Sequence, residues 1–198
     1  RTGDGDFLYA DVSSNNLVTT RIITVTVTGV NDAPTRTTAT VVLPAGTEDT
    51  DGGAGDTVTN LFGGAFSDAK DAIGDGTNGT IVNTFAGIAI TANTAIPAQG
   101  VWQYSTDGGT TWTNLPTVSA NNAFLLDTSA KLRFDPANDF HGTPGSLSTR
   151  LIDSSGGAVT NGDTADVSGG NSGGITRYSD AGNAVALTTT VANVNDRP

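Results

Sequence analysis

A strand-like run ending in Val-Asn-Asp-x-Pro occurs twice in this chain, and it limits what the rest can become. Residues 23–34 read Ile-Thr-Val-Thr-Val-Thr-Gly-Val-Asn-Asp-Ala-Pro, and residues 187–198 read Leu-Thr-Thr-Thr-Val-Ala-Asn-Val-Asn-Asp-Arg-Pro. Alternation of Thr with Ile, Val or Leu suits a strand with one buried and one wet face. Asn-Asp then favours a turn, and Pro lacks the N–H that a ladder needs. The same stop at the end of two terminal strands reads as punctuation between tandem repeats. Residues 1–32 are then the terminal hairpin of a preceding repeat, and residues 33–198 form one complete β unit.

The remaining sequence predicts an all-β fold. Phe7–Val12 and residues 17–30 read as a hairpin joined by Ser-Ser-Asn-Asn. Further strands are expected at 37–43, 84–92, 100–105, 111–115, 123–126, 131–134, 147–152 and 185–194, and residues 58–62 are short and apolar. The 26 glycines, with abundant Thr, Ser and Asn, suit short strands and many turns. Asp107-Gly108-Gly109 is a hairpin turn, because Gly accepts positive φ without penalty. Trp102 and Trp112 flank it at alternating positions, which suits core packing; the other use of such a pair is a stacking platform for sugar. Residues 154–176 form a long stretch of Gly, Ser, Asn and Asp, and loops of that length are usually functional or disordered. No apolar run approaches 18 residues, so membrane insertion is not expected.

Charge is the second strong signal. The formal net charge is −11, from 20 acidic and 9 basic residues, and Glu48 is the only acid that is not Asp. Asp belongs in turns, and its short arm suits hard cations. Asp-rich, Glu-poor and Gly-rich loops together point to several Ca²⁺ ions. Asp68, Asp71 and Asp75 have the spacing to surround one ion. Further candidate ligands are Asp32, Asp49, Asp51, Asp135, Asp139, Asp153, Asp163, Asp166 and Asp180. No 12-position loop closes with a bidentate Glu, so none of these is an EF-hand. With no basic stripe, nucleic acid is not an expected partner. Cysteine is absent, which excludes disulfides and thiolate metal sites, so a chain exported to the cell surface needs another staple.

No enzyme is expected. The chain has no Gly-x-Ser-x-Gly, phosphate loop, His-Glu-x-x-His or dinucleotide fingerprint. His141 is the only His and has no nucleophile motif nearby, so it reads as a turn residue.

The blocks Val30–Pro34, Val194–Pro198, Trp102-Gln103-Tyr104-Ser105-Thr106-Asp107-Gly108-Gly109-Thr110-Thr111-Trp112 and Leu132–Gly142 carry a resemblance. Together they resemble the tandem extracellular modules of giant bacterial repeats-in-toxin (RTX) adhesins, with cadherin-like or immunoglobulin-like repeats. More narrowly, the chain is similar to their calcium-dependent peptide-binding domain, from which Arg197 departs by standing where Ala is usual. The resemblance implies a β-sandwich on the bacterial cell surface, exported within a larger chain that supplies neighbouring repeats. It also implies that Ca²⁺ helps hold the free C-terminal carboxylate of a peptide or protein on another cell. Candidate ligand-binding residues on that reading are Asp153, Ser154, Arg177, Tyr178, Asp180 and Asn183.

Size agrees with a binding role. The unit from 33 to 198 is well beyond the roughly 100 residues of an immunoglobulin-like sandwich, and the excess lies in Asp- and Gly-rich loops. Two other readings stay open: a Ca²⁺-rigidified structural extender with no ligand, and a carbohydrate-binding module built on Trp102 or Trp112.

Overall fold

In the computed structural model the described residues are 7–12, 18–23, 29–71 and 83–195. Asp75, the loop residues 13–16, residues 24–28 of the second expected strand, and Asp196–Pro198 of the second tag lie outside them. Strands β1 (Phe7–Val12) and β2 (Val18–Ile23) pair antiparallel, as the expected hairpin requires. The main unit begins with β3 (Thr35–Arg36), β4 (Thr40–Val42), β5 (Gly46–Thr47) and β6 (Asp56–Thr57), then helix α1 (Val58–Phe62) and β7 (Phe66–Ser67). Longer strands follow: β8 (Phe85–Asn93), β9 (Gly100–Ser105), β10 (Thr113–Asn114), β11 (Ala123–Asp127), β12 (Lys131–Pro136) and β13 (Leu147–Asp153). The chain ends with β14 (Thr164–Ala165), β15 (Val185–Thr188) and β16 (Val191–Ala192). The architecture is all-β, with α1 the one α-helix among the described residues.

Two sheets dominate. One has four strands in the order β10-β9-β12-β6, the other six in the order β14-β11-β8-β13-β15-β4. β8 pairs antiparallel with β11 on one side and β13 on the other. β15 runs parallel to β4, and β16 parallel to β5, so strands from near the two ends of residues 33–195 lie side by side.

Local chemistry explains the turns. Between β9 and β10, Asp107 accepts hydrogen bonds from the backbone N–H groups of Thr110 and Thr111 and from the hydroxyls of Thr111 and Ser105. The Thr111 hydroxyl does most to hold this carboxyl well below the ordinary range. Gly108 and Gly109 adopt φ of 77° and 98°, which close the turn. The turn at Asp127 does different work. β11 and β12 do not pair; the chain crosses there from the six-stranded sheet to the four-stranded one. Asp127 fixes the crossing by accepting from the N–H groups of Ser129 and Ala130. Residues 58–62 are helical because Thr57 caps them, its hydroxyl accepting from Asn60 N at 3.2 Å, and because Val58, Leu61 and Phe62 share one buried face.

Alternation along the strands builds a core between the sheets. Ile88, Ile90, Phe124, Leu126, Leu147, Leu151, Val185 and Leu187 from the larger sheet meet Trp102, Leu132 and Phe134 from the smaller. Trp102 is 1% exposed, donates from Nε1 to the Gly145 carbonyl at 2.8 Å and stands edge-on to Phe134. The opposite face of the larger sheet is apolar too. Ala89, Ala123, Leu125 and Ile152 meet Val167, Val159, Ala165 and Tyr178 there. The long Gly- and Ser-rich stretch after β13 is thus a packed covering layer, with short 3₁₀ turns at Ser154–Gly156 and Gly169–Asn171.

The two tryptophans therefore differ in role. Trp112 is half-buried, with the Arg133 guanidinium 4.4 Å above its ring. Trp102→Ala is expected to cost about 3–5 kcal/mol in urea denaturation. Trp112→Ala should cost about 1 kcal/mol, the scale of a half-exposed cation–π contact.

Candidate functional site

β13 ends in Asp153, which has no exposed surface. One of its oxygens caps the following turn, accepting from Ser155 N at 2.8 Å. The other faces the side-chain amide of Asn31 at 3.5 Å. The Asn31 amide also donates to the carbonyls of Ile175 and Thr176 at 3.3 and 3.2 Å, so the first Val-Asn-Asp tag is tied to the covering layer. The next backbone N–H, of Asp32, donates to Asp71 Oδ1 at 2.8 Å. Asp71 is 6% exposed, and its second oxygen accepts from Asn83 Nδ2 at 3.0 Å; that amide also donates to Asn31 Oδ1.

Asp68 completes the group and is its odd member. Both of its carboxylate oxygens are buried without a hydrogen-bond partner among the described residues. Burial first, then the negative charges of Asp71, Asp153 and Asp32, raise its pKa to about 6. Asp32, Asp68, Asp71 and Asp153 thus form one electrostatic cluster, drawn from the tag, the β7–β8 connection and the end of β13. Its polar groups are carboxylates and amides, a donor set that fits a hard cation such as Ca²⁺ and offers nothing to a soft one. Among the described residues no three acidic or imidazole side chains already converge on one ligating point. Asp71 and Asp153 hold amide and backbone donors instead, so accepting an ion requires them to turn from those donors toward it.

A second group gathers at the other end of the fold. Asp139 N donates to Asp49 Oδ1 at 3.1 Å, and Gly52 N to Asp135 Oδ1 at 3.0 Å. Asp49 and Asp139 both adopt left-handed backbone, with φ of 55° and 59°. Beside them Glu48, 1% exposed, accepts from Val194 N at 2.6 Å and Asn193 Nδ2 at 2.8 Å. Its other oxygen lies 3.3 Å from His141 Nδ1. His141 sits in the expected turn, but it also joins the only Glu in holding the approach to the second tag.

Asp163, Asp166 and Asp180 stand apart from both groups, while Asp51 neighbours Gly52 of the second. Asp166 caps its own turn through Ser168 N at 2.9 Å, and Asp180 does so through Asn183 N at 2.9 Å. The Asp163 carbonyl accepts from Leu125 N at 2.9 Å, and Asp51 is exposed. The predicted ligand-binding side chains serve the scaffold. Arg177 clasps the loop, donating to the carbonyls of Asp153, Gly156 and Gly157. Tyr178 packs on the outer face of the sheet. The Ser154 hydroxyl accepts from Thr84 N, and Asn183 Oδ1 from Arg36 N. Sequence reasoning missed Asn31 and Asn83. Asn31 had a signal, since it precedes Asp32 in the repeated tag; Asn83 had none.

Comparison with protein-family models, with curated proteins and with solved structures finds no match to this chain.

The raised pKa of Asp68 has a pH signature. An acid whose native pKa lies above its unfolded value binds its proton more tightly when folded, so stability falls as pH rises through that window. In chelator, the melting temperature should fall between pH 4 and pH 6, where Asp68 loses its proton. Asp68→Asn should remove that part of the dependence and raise the melting temperature at pH 7. Identical pH profiles for the two proteins would exclude an uncompensated charge at this site.

Proposed function

We propose that this chain is a Ca²⁺-dependent adhesion module of a large bacterial surface adhesin, exported within a longer chain and set among neighbouring repeats. On this reading its two sheets form an immunoglobulin-like or cadherin-like sandwich, and it captures the free C-terminal end of a peptide or protein on another cell. The observation that carries the reading is Asp68, whose two buried oxygens have no donor among the described residues while Asp32, Asp71 and Asp153 crowd the same place. Water does not solvate those oxygens, and like charge opposes them; a divalent cation answers both costs at once. Asp32, Asp68, Asp71 and Asp153 are the residues that would hold it. Ca²⁺ retains open positions for an exogenous carboxylate oxygen, which is the chemistry that recognition of a chain end needs.

Position supports a link between the ion and the binding surface. Asn31 joins the cluster to the carbonyls of Ile175 and Thr176, so whatever orders the cluster also orders the covering loop. The same position favours a second reading. The cluster lies on the first Val-Asn-Asp tag, at the boundary between repeats, where an ion would stiffen the junction of a structural extender without any ligand. The carbohydrate-binding alternative loses its support, because Trp102 is buried in the core and Arg133 covers Trp112.

An ion that binds the folded chain alone stabilises it by mass action, by about 1.4 kcal/mol at ten times the dissociation constant. Ca²⁺ should therefore raise the melting temperature, and Asp68→Ala or Asp153→Ala should remove most of the rise. Peptides with free and amidated C-termini, each tested with Ca²⁺ and with chelator, separate the two readings. Capture that requires both the free carboxylate and Ca²⁺ establishes the adhesin module. A Ca²⁺-dependent melting temperature with no capture establishes the extender, and equal melting temperatures with and without Ca²⁺ would sink both.

A further inference from the structure

β13 sends Leu151 to the core between the sheets and Arg150, with Ile152, to the opposite face beneath the covering layer. Arg150 is only 9% exposed. Its one hydrogen bond among the described residues runs from Nη1 to the Asp180 carbonyl at 3.0 Å, and its Nε is buried with no partner among them. No carboxylate lies within ion-pair distance of it among the described residues. The nearest acid, Asp180, has its carboxylate turned to the backbone and side-chain N–H groups of Asn183, at 2.9 and 3.1 Å. Asp166 is likewise held by Ser168. Burial lowers the pKa of Arg150 from the ordinary arginine value, and the charge of Asp180, beyond ion-pair distance, acts the other way; a buried cation compensated only at that range is costly. The residue also borders a cleft of about 480 Å³, whose other walls include Ala120, Val167, Ser168, Ala181 and the acid Asp180.

We propose that this cleft is a binding site for a small carboxylate, received in two-pronged fashion by the Nε–Nη2 edge of Arg150. That edge is the fork that matches a carboxylate, and here it is unused because Nη1 alone is engaged. Most cleft walls are short side chains that leave room for the anion; the one acid among them, Asp180, turns its Oδ1 to Asn183, and Ala120 and Val167 offer an apolar side to the ligand's carbon skeleton. Nε is covered in the free chain, so a shift of the long unbranched side chain toward the cleft accompanies binding and changes the surroundings of its proton. The site uses no metal and does not rest on the proposed Ca²⁺ cluster.

The test is a titration of the whole chain with sodium acetate, followed through the Arg150 Nε–H signal in ¹H–¹⁵N correlation spectra. Sodium chloride at equal ionic strength and acetamide serve as controls. The Arg150 signal should shift saturably with acetate, at a midpoint on the order of 10 mM as suits so small a ligand, and with neither control. Arg150→Lys keeps the charge but loses the fork, and should weaken binding by about tenfold. Ala181→Trp should block the cleft from its exposed rim while leaving Arg150 in place, which guards against a variant that fails to fold. The titration is run in Ca²⁺ and in chelator. A shift that Ala181→Trp leaves unchanged, a shift equally produced by chloride, or none in the folded protein would overturn the proposal. A response that appears only with Ca²⁺ and survives Ala181→Trp assigns the carboxylate to the metal and likewise overturns the Arg150 site.

Discussion

Burial of β8 on both faces is the constraint from which most of this architecture follows. Ile88 and Ile90 face the smaller sheet, and Ala89 faces the other way, into a second apolar cluster. The smaller sheet satisfies one face, and a loop must cover the other. Two of the outward residues, Ala89 and Ala123, are small, and Leu125 and Ile152 beside them are covered by a thin layer of backbone bearing a few apolar plugs. Such a layer must close its own hydrogen bonds, since buried backbone groups without partners are costly. Arg177 does this for three carbonyls, and Asp153, Asp166 and Asp180 do it for turns. The Gly, Ser and Asp content of the loop is therefore a packing solution before it is anything else.

This gives the abundance of aspartate two distinct causes. At Asp107, Asp127, Asp166 and Asp180 the carboxylate accepts local N–H or hydroxyl donors and stabilises a turn. Glu, one methylene longer, would not reach the same backbone groups. At Asp68 the carboxylate has no such donor among the described residues and is surrounded by charge of its own sign. Composition cannot tell the two kinds apart, because both appear as Asp near Gly in a loop. The hydrogen bonds do: Asp166 and Asp180 cap their own turns, whereas both Asp68 oxygens are without a partner among the described residues.

The strands were legible wherever pattern and turn chemistry agreed. β8, β9, β11, β12 and β13 lie within a residue or two of their expected bounds, and the Asp107 turn is where Asp-Gly-Gly placed it. The helix at 58–62 was not legible, because five residues are too few to establish a helical period. The tag strand expected at 185–194 divides into β15 and β16, with Thr189 turned inward between them to donate to the Leu43 carbonyl. At the site, Asp32, Asp68, Asp71 and Asp153 were all named from composition, but so were acids elsewhere. What brings these four together is tertiary: a strand end, a loop and a tag far apart in sequence. Arg150 carried no sequence signal at all, since one basic residue in a strand usually faces solvent.

The parallel contact of β15 with β4 has a mechanical consequence. β4, near the start of residues 33–195, and β15, near their end, run side by side in the same direction. Pulling back on the start of β4 and forward on the end of β15 slides one along the other. Every hydrogen bond between them is then loaded together, in shear, where a hairpin pulled at its open end would yield one rung at a time. The contact between β16 and β5 adds a second element in the same sense. A chain of such units placed under tension would resist as a set of clamps, and the weakest place would be sought in the connections between units before the sheets themselves.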